Sequence, residues 1–86
     1  MLSHAMIEQA AQRLVKEAQS PAKVILFGSY ARGEATEDSD LNLLVVERDL
    51  PDPSGEYLRL RRALGSLGVG VDLLLYARDE FERRHN

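Results

Sequence analysis

Three short apolar runs, and the segments between them, constrain the fold of this 86-residue chain more than any other feature. They are KVILFG at residues 23–28, LNLLVV at 41–46 and VGVDLLLY at 69–76. Runs of this length that are rich in Val, Ile and Leu and end at turn residues are typical of buried strands. Because the second run is apolar at nearly every position, we expect helices to cover both faces of the sheet.

Two further stretches repeat apolar residues at helical spacing. Residues 4–19 form an amphipathic helix with Ser3 as N-cap and Ser20-Pro21 at its end. The second helix follows a connector at 49–55 and runs to about Gly68, its expected C-cap. The apolar stripes are Ile7, Ala10, Ala11, Leu14, Val15 and Ala18, and then Tyr57, Leu60, Ala63, Leu64 and Leu67. A short polar helix follows the third strand.

The element order α-β-β-α-β-α predicts a single α/β (α+β) domain over residues 1–86, with a small mixed sheet and flanking helices. The loop between strands one and two contains Gly, Ser, Thr and acidic residues and has room for one helical turn after Ser29. Because this loop is short, we expect the two strands to be antiparallel neighbours. The helix between strands two and three makes that pair parallel, with a right-handed crossover. Gly28-Ser29, Asp40, Asn42 and Asp72 should therefore converge at one edge of the sheet.

Composition narrows the class of protein. The chain has 44% hydrophobic and 29% charged residues, no cysteine and a net charge of −3. These values predict a globular, cytoplasmic protein without disulfides, secretion signal or membrane span. Direct nucleic-acid binding is not expected, because the only basic cluster is RLRR at 59–62, interpreted as a solvated helix face. An acidic balance suits a protein that binds divalent cations or a basic partner.

Polar residues at the predicted sheet edge are candidates for a metal site. Asp40 and Asn42 are two apart on a strand, so their side chains leave the same face, and Asp72 can join them from the parallel strand. Such oxygen ligands suit Mg²⁺. A plain polar turn at residues 38–40 is an equal alternative. Asp72 interrupts an apolar strand, so it must lie at the open edge or pair with a cation such as Arg32.

Gly28-Ser29 ends a strand and opens a turn. Glycine lets the backbone approach a phosphate, and the Ser29 hydroxyl and nearby N–H groups can donate to its oxygens. An ordinary strand exit with a serine cap is the alternative. Arg32 either clamps a phosphate or braces Glu34 and Asp38, and bracing is favoured.

Taken together, GSYARG, SDLNLLVV and VDLLLY resemble the nucleotidyltransferase superfamily related to DNA polymerase beta. The chain is most similar to the minimal nucleotidyltransferase (MNT) domain, the antitoxin of HEPN/MNT toxin–antitoxin pairs. The family pattern is G-S-x-x-R-G, then S-D-x-D-L, then a third acid on a later strand. The resemblance covers about residues 20–77 and implies the nucleotidyltransferase fold.

The resemblance implies transfer of AMP from ATP to a hydroxyl, expected to be a tyrosine of a HEPN RNase toxin, in a type VII-like pair. Gly28, Ser29 and Arg32 would hold the triphosphate. Asp40, Asn42 and Asp72 would be the catalytic residues and would bind two Mg²⁺ ions, which stabilise the entering and leaving oxygens. Exposed apolar residues on the outer helices, or the arginines of RLRR, would dock the toxin in a hetero-oligomer.

Asn42 departs from the family pattern, which places an aspartate at that position. The amide can coordinate a metal but lacks a full negative charge, so impaired activity is expected. Three explanations stay open: an engineered substitution, a degenerate antitoxin that neutralises by complex formation alone, and a weakly active variant. An isolated or engineered change is slightly favoured because the other motif positions are intact. Adenylylation of a small molecule is a third possible activity, disfavoured because the chain has no acceptor domain.

Overall fold

A computed structural model describes residues 1–84 and contains three helices and one sheet in the predicted order. The elements are α1 (His4–Glu17), β1 (Ala22–Phe27), β2 (Leu41–Glu47), α2 (Pro53–Leu64), β3 (Val71–Ala77) and α3 (Arg78–Arg84). Within these residues, no helix is long and apolar enough to cross a membrane. The architecture is a small α/β fold built on a mixed sheet.

The sheet has the order β1-β2-β3, with β2 in the centre. β1 pairs antiparallel with β2, so that Phe27 lies opposite Asn42 and Ala22 opposite Glu47. β3 pairs parallel with β2, so that Asn42 lies beside Asp72. Both predicted pairings are confirmed, and they follow from a short loop before β2 and a helix after it.

Helices lie on both faces of this sheet, as the apolar β2 predicts. Alternate β2 residues Leu41, Leu43 and Val45 are buried in one core with α1 and α2. The other face carries Leu44 and Val46, also buried, and α3 contacts its far end. There the Lys23 ammonium lies 5.2 Å from the centre of the Phe81 ring. The core helices contribute Ala10, Leu14, Leu60 and Leu64, each at most 1% exposed.

The first helix begins where predicted and ends earlier. The Ser3 hydroxyl accepts a hydrogen bond from the Met6 N–H at 3.2 Å, which confirms the predicted N-cap. The helix ends at Glu17, and the Ala18 N–H still donates to the Leu14 carbonyl as the C-cap. Thus the predicted end at residue 19 was two residues late.

The bounds predicted for the second helix were wrong at both ends. α2 begins at Pro53, inside the predicted connector, because Asp52 caps it by accepting from the Gly55 N–H at 3.2 Å. It ends at Leu64, because Gly65 takes a left-handed conformation with φ +67°. Gly68 is therefore not the C-cap. It lies in the turn before β3, which starts at residue 71 rather than 69.

Two arginines of the RLRR cluster form hydrogen bonds within the chain. Arg59 donates to Glu56 at 2.7 Å and to Glu17 at 3.0 Å. Arg61 Nη1 donates to the Val71 carbonyl at 2.9 Å. The interpretation as a solvated face therefore holds only for Arg62, which is exposed. The first two arginines join α2 to α1 and to β3.

Two buried glutamates, which the sequence analysis did not single out, meet at the end of β2 far from the predicted site. Glu47 and Glu56 are 0% and 1% exposed. Glu56 accepts from the Gln19 N–H at 3.0 Å and from Arg59, and Ser20 Oγ lies 3.4 Å from Glu47 Oε1. Glu47 Oε2 has no hydrogen-bond partner within residues 1–84. A proton on Glu47 would let this carboxyl group donate a hydrogen bond to Glu56.

The pKa values of the two carboxyl groups are shifted in opposite directions. Burial, followed by the hydrogen bond and repulsion from Glu56, raises the pKa of Glu47 from 4.5 to about 7. Burial also acts to raise the pKa of Glu56, but the hydrogen bonds from Glu47, Gln19 and Arg59 outweigh it and lower that pKa. The folded chain therefore retains a proton on Glu47 that the unfolded chain loses above pH 4.5.

We predict that Glu47→Gln changes the pH dependence of stability. In the native chain the contribution of Glu47 is fully present below pH 4.5 and is lost as the pH rises to about 7. That loss is at most about 3 kcal/mol of unfolding free energy. Glutamine donates to Glu56 without titrating, so the variant should gain stability relative to the native chain between pH 5 and pH 8.

Urea unfolding followed by circular dichroism at both pH values measures this difference. Glu17→Gln is the control, because Glu17 also pairs with Arg59 but is exposed. Native and Glu47→Gln stability curves that run parallel from pH 5 to pH 8 would contradict the assignment of a proton to Glu47.

Candidate functional site

Three neighbouring strand positions form the centre of the candidate site. The register places Phe27, Asn42 and Asp72 side by side across β1, β2 and β3. They lie on the face opposite α1 and α2, because their neighbours Leu41, Leu43 and Leu73 point into the core. A cavity of about 260 Å³ opens there, and Tyr57 of α2 also lines it. The predicted meeting of Asn42 and Asp72 is confirmed.

Asp72 is exposed, so its charge is not buried within the strand. No ion pair to Asp72 occurs among residues 1–84, and the alternative of a salt bridge to Arg32 is therefore wrong. The carboxylate lies at the open edge of the sheet, where water solvates it. An exposed, unpaired acid on this face is available to a ligand.

A tight turn follows β1 and contacts the same strand end. Gly28 has φ +78°, and a β-carbon added there would overlap the Asn42 side-chain amide. The Gly28 carbonyl accepts from the Ala31 and Arg32 N–H groups at 3.1 and 3.2 Å. Only glycine fits this position, for conformation and for space. Ser29 follows Gly28 in this turn, and its hydroxyl has no hydrogen bond in the described part of the chain.

The Asp40 carboxylate packs against Gly70, a residue that the sequence analysis did not single out. A β-carbon on Gly70 would overlap Asp40 Oδ1 and lie 3.0 Å from its Cγ. Gly70 and Asp72 are two apart, so their side-chain directions share a face. The Asp40 carboxylate therefore lies on the face of Asp72. The glycine before β3 in VGVD was a usable signal, because Gly in a strand often marks a close approach.

Arg32 braces the loop, which was the favoured interpretation. Its Nε donates to Glu34 Oε1 at 2.7 Å, and both side chains are exposed. No contact joins Arg32 to Asp40, Asn42 or Asp72 within residues 1–84. Arg32 is therefore not part of the cluster, and no hydrogen bond joins the Ser29 side chain to the cluster within residues 1–84.

A polar turn precedes Asp40, as the alternative interpretation expected. Ser39 Oγ accepts from the Thr36 N–H at 2.8 Å, and Thr36 Oγ1 accepts from the Asp38 N–H at 3.3 Å. These bonds close the turn without Asp40. The polar turn is therefore present, and Asp40 lies where it ends.

The donor chemistry of the cluster fits Mg²⁺ incompletely. Asp40 and Asp72 supply carboxylates, and Asn42 supplies an amide oxygen, which are ligand types that Mg²⁺ accepts together with water and substrate phosphates. No group of three or more His, Cys, Asp or Glu side chains suited to a metal exists among the described residues. The donors that this edge offers to a cation are therefore two carboxylates and one amide oxygen.

The fold is consistent with that of a nucleotidyltransferase domain. The model of the nucleotidyltransferase domain family matches residues 7–86, and the chain belongs to that family.

Curated proteins with similar sequences are named as protein adenylyltransferases. The chain is 42% identical over 65 residues to a protein from Methanocaldococcus jannaschii that is provisionally named a protein adenylyltransferase. The match covers 73% of this chain and 65% of the relative. The protein adenylyltransferase MntA of Thermococcus cleftensis is 36% identical over 67 residues, covering 77% of this chain and 67% of MntA. The chain spans just under two thirds of the first relatives. No solved structure matches it significantly.

We predict that Gly70→Ala displaces the Asp40 carboxylate, because the added β-carbon would overlap it. Since Asp40 is a candidate metal ligand, divalent-cation binding should weaken at least about tenfold. Gly70 has no positive φ, so alanine causes no backbone strain there. Titration of the chain with Mn²⁺, followed by electron paramagnetic resonance, measures the affinity.

Gly55→Ala is the matched control. It presses a β-carbon against the Asp52 carboxylate in the same way, but at the start of α2. This variant should lose stability and keep its Mn²⁺ affinity. Equal Mn²⁺ affinities for Gly70→Ala and the native chain would contradict the placement of Asp40 in the site.

Proposed function

We propose that this chain is a cytoplasmic antitoxin of a type VII-like HEPN/MNT pair, which transfers AMP from ATP to a tyrosine hydroxyl of the HEPN RNase toxin. The observation that supports this most strongly is the register of Asn42 beside Asp72, next to the Gly28 turn and the Asp40 carboxylate. The names of the relatives, which include protein adenylyltransferases, support transfer to a protein.

The Gly28 turn is the proposed triphosphate site. Its left-handed glycine lets phosphate oxygens approach the backbone, and the Ser29 hydroxyl has no competing hydrogen bond among residues 1–84. Arg32 is exposed and, within residues 1–84, forms an ion pair only with Glu34, one of the weak pairs found at surfaces. A triphosphate can therefore compete for the guanidinium at small cost, and Arg32 then contributes positive charge.

Asp40, Asn42 and Asp72 are the proposed ligands of Mg²⁺, with two ions in the active form. When bound, the ions neutralise the phosphates and polarise the α-phosphoryl group. Asp72 is exposed on the open side of the sheet, so its carboxylate can accept the proton of an incoming hydroxyl. The hydroxyl oxygen then bonds to the α-phosphorus, and pyrophosphate leaves.

Asn42 sets the level of activity in this proposal. It occupies the central strand between Phe27 and Asp72, at the position where the family pattern has an aspartate. Its amide keeps the oxygen and loses the charge, so the affinity for the second dication falls. Turnover in this chain is therefore low.

Neutralisation by binding alone is the second candidate function, and Asn42 is the observation that favours it. A chain that no longer transfers AMP can still cover its partner. This function requires neither ATP nor Asp72, whereas the enzymatic function requires both.

We predict that Asn42→Asp raises AMP transfer by at least about tenfold, because a third carboxylate completes the metal site. The assay combines the purified chain, labelled ATP, Mg²⁺ and a purified HEPN-domain RNase, and follows label on that protein. Asp72→Ala in the Asn42→Asp background should abolish the transfer, and Mg²⁺ removal by chelation should do the same.

Asp38→Asn is the control, since Asp38 lies in the polar turn outside the cluster. Absence of label with both the native and Asn42→Asp chains would overturn the enzymatic proposal. Neutralisation of the HEPN protein by Asp72→Ala without ATP would then identify the binding function.

A further inference from the structure

The outer edge of β3 has unpaired backbone groups in the part of the chain that the structure describes. β3 ends the sheet, and the Leu41 N–H donates to the Gly70 carbonyl at 2.8 Å. Hydrogen-bonding direction alternates along a strand, so even-numbered β3 residues bond to β2. The N–H and C=O groups of Leu73 and Leu75 consequently point away from the sheet. Arg61 binds the carbonyl of Val71 on that edge and leaves the next positions open.

Beyond Asp72 and the Arg61 contact at its start, residues 73–76 of this edge lack the features that protect free strands from pairing. Residues 73–76 are LLLY, with no charge and no proline. By contrast, β1 carries the exposed Lys23 directly after Pro21. Edge strands are normally protected by charges, prolines, bulges or a covering segment. An unprotected apolar edge therefore indicates a segment that covers it.

An apolar groove runs along the same edge, between β3 and the start of α2. It encloses about 540 Å³ and is lined by Ser54, Tyr57 and Leu58 of α2 and by residues 73–75 of β3, with no charged side chain among its described lining residues. We call it the β3 groove. Leu58 and Leu74 are 57% and 44% exposed. The groove therefore suits an uncharged, apolar occupant.

The β3 groove leads into the candidate site. It shares Tyr57, Leu73 and Leu74 with the smaller cavity that holds Asn42 and Asp72. Leu74 and Asp72 are two apart and lie on one face of β3. A segment in the groove therefore passes directly beside the Asp72 carboxylate.

We propose that the β3 groove is the acceptor site, where an extended apolar segment of the protein substrate pairs with β3 as a fourth strand. This inference rests on the proposed function. Neighbouring strands lie about 4.8 Å apart, so a hydroxyl residue opposite Asp72 comes within reach of its carboxylate. Backbone pairing supplies affinity and the apolar wall selects the side chains, as in other cases of strand addition. The acceptor is then a tyrosine flanked by uncharged residues.

A second copy of this chain is the competing occupant. Two copies paired through β3 would each place a strand across the groove that leads to Asp72. Such a dimer would close both sites to a protein acceptor. The proposed function therefore favours the substrate segment as the occupant.

Amide hydrogen exchange tests the strand addition. The probe is a purified HEPN-domain RNase, the partner class that the proposed function names, added to the ¹⁵N-labelled chain without ATP. In the free chain the Leu73 and Leu75 amides should exchange faster than those of Leu74 and Tyr76. On binding, they should become at least about tenfold slower. Binding without added protection at Leu73 and Leu75 would overturn strand addition.

A charge in the groove tests its apolar wall. Leu58→Glu should raise the Kd for the HEPN-domain protein at least about tenfold, because binding would bury the carboxylate. Val15→Glu is the matched control, since Val15 is an exposed apolar residue on α1. Both variants should keep the circular dichroism spectrum of the native chain and its affinity for MgATP.

Each outcome separates the groove from the catalytic proposal. Equal Kd values for Leu58→Glu and Val15→Glu would overturn the groove, whether or not AMP is transferred. No binding of the HEPN-domain protein, or a dimer in sedimentation that Leu58→Glu dissociates, would also overturn it. Groove binding without transfer by Asn42→Asp would instead refute the catalytic proposal alone.

Discussion

The register of β2 between β1 and β3 is the constraint on which the rest of the structure depends. Leu41, Leu43 and Val45 are almost fully buried, so their alternation defines which face of the strand meets α1 and α2. A slip of one residue would turn these leucines to the open face and Asn42 into the core. The hydrophobic burial that stabilises the domain thereby also determines where the polar residues of the candidate site lie.

Acidic residues at the two ends of β2 have opposite environments and opposite consequences. Near the start, Asp40 is exposed, so its carboxylate stays available to ligands. At the other end Glu47 is fully buried beside Glu56, so its pKa rises and it keeps a proton near neutral pH. An acidic residue at the open edge of the sheet is thus available to a ligand. An acidic residue covered by α1 and α2 instead takes part in internal hydrogen bonds.

Much of this arrangement was predictable from the sequence, because apolar runs and turn residues determine strand order, and strand order determines which polar residues meet. The convergence of Asn42 and Asp72 needed no more than that. Gly70 was missed because its role depends on where Asp40 points, which is a tertiary property. The Glu47–Glu56 pair was missed for a related reason, since burial of a charged residue depends on partners distant in sequence, here Arg59. The end of α2 was misplaced because Leu67 continues the helical spacing although it packs from a loop.

Asn42 links stability to activity in this chain. An aspartate there would stand beside Asp72 and on the face that Asp40 shares, so three carboxylates would repel one another whenever no cation is bound. The neutral amide removes that repulsion, and the residue packs against Gly28 without needing a metal to hold the strand ends together. The fold therefore tolerates Asn42 and gains stability in the metal-free state. Under the proposed function, an aspartate at this position would favour the cation-bound site and, through that repulsion, destabilise the cation-free fold.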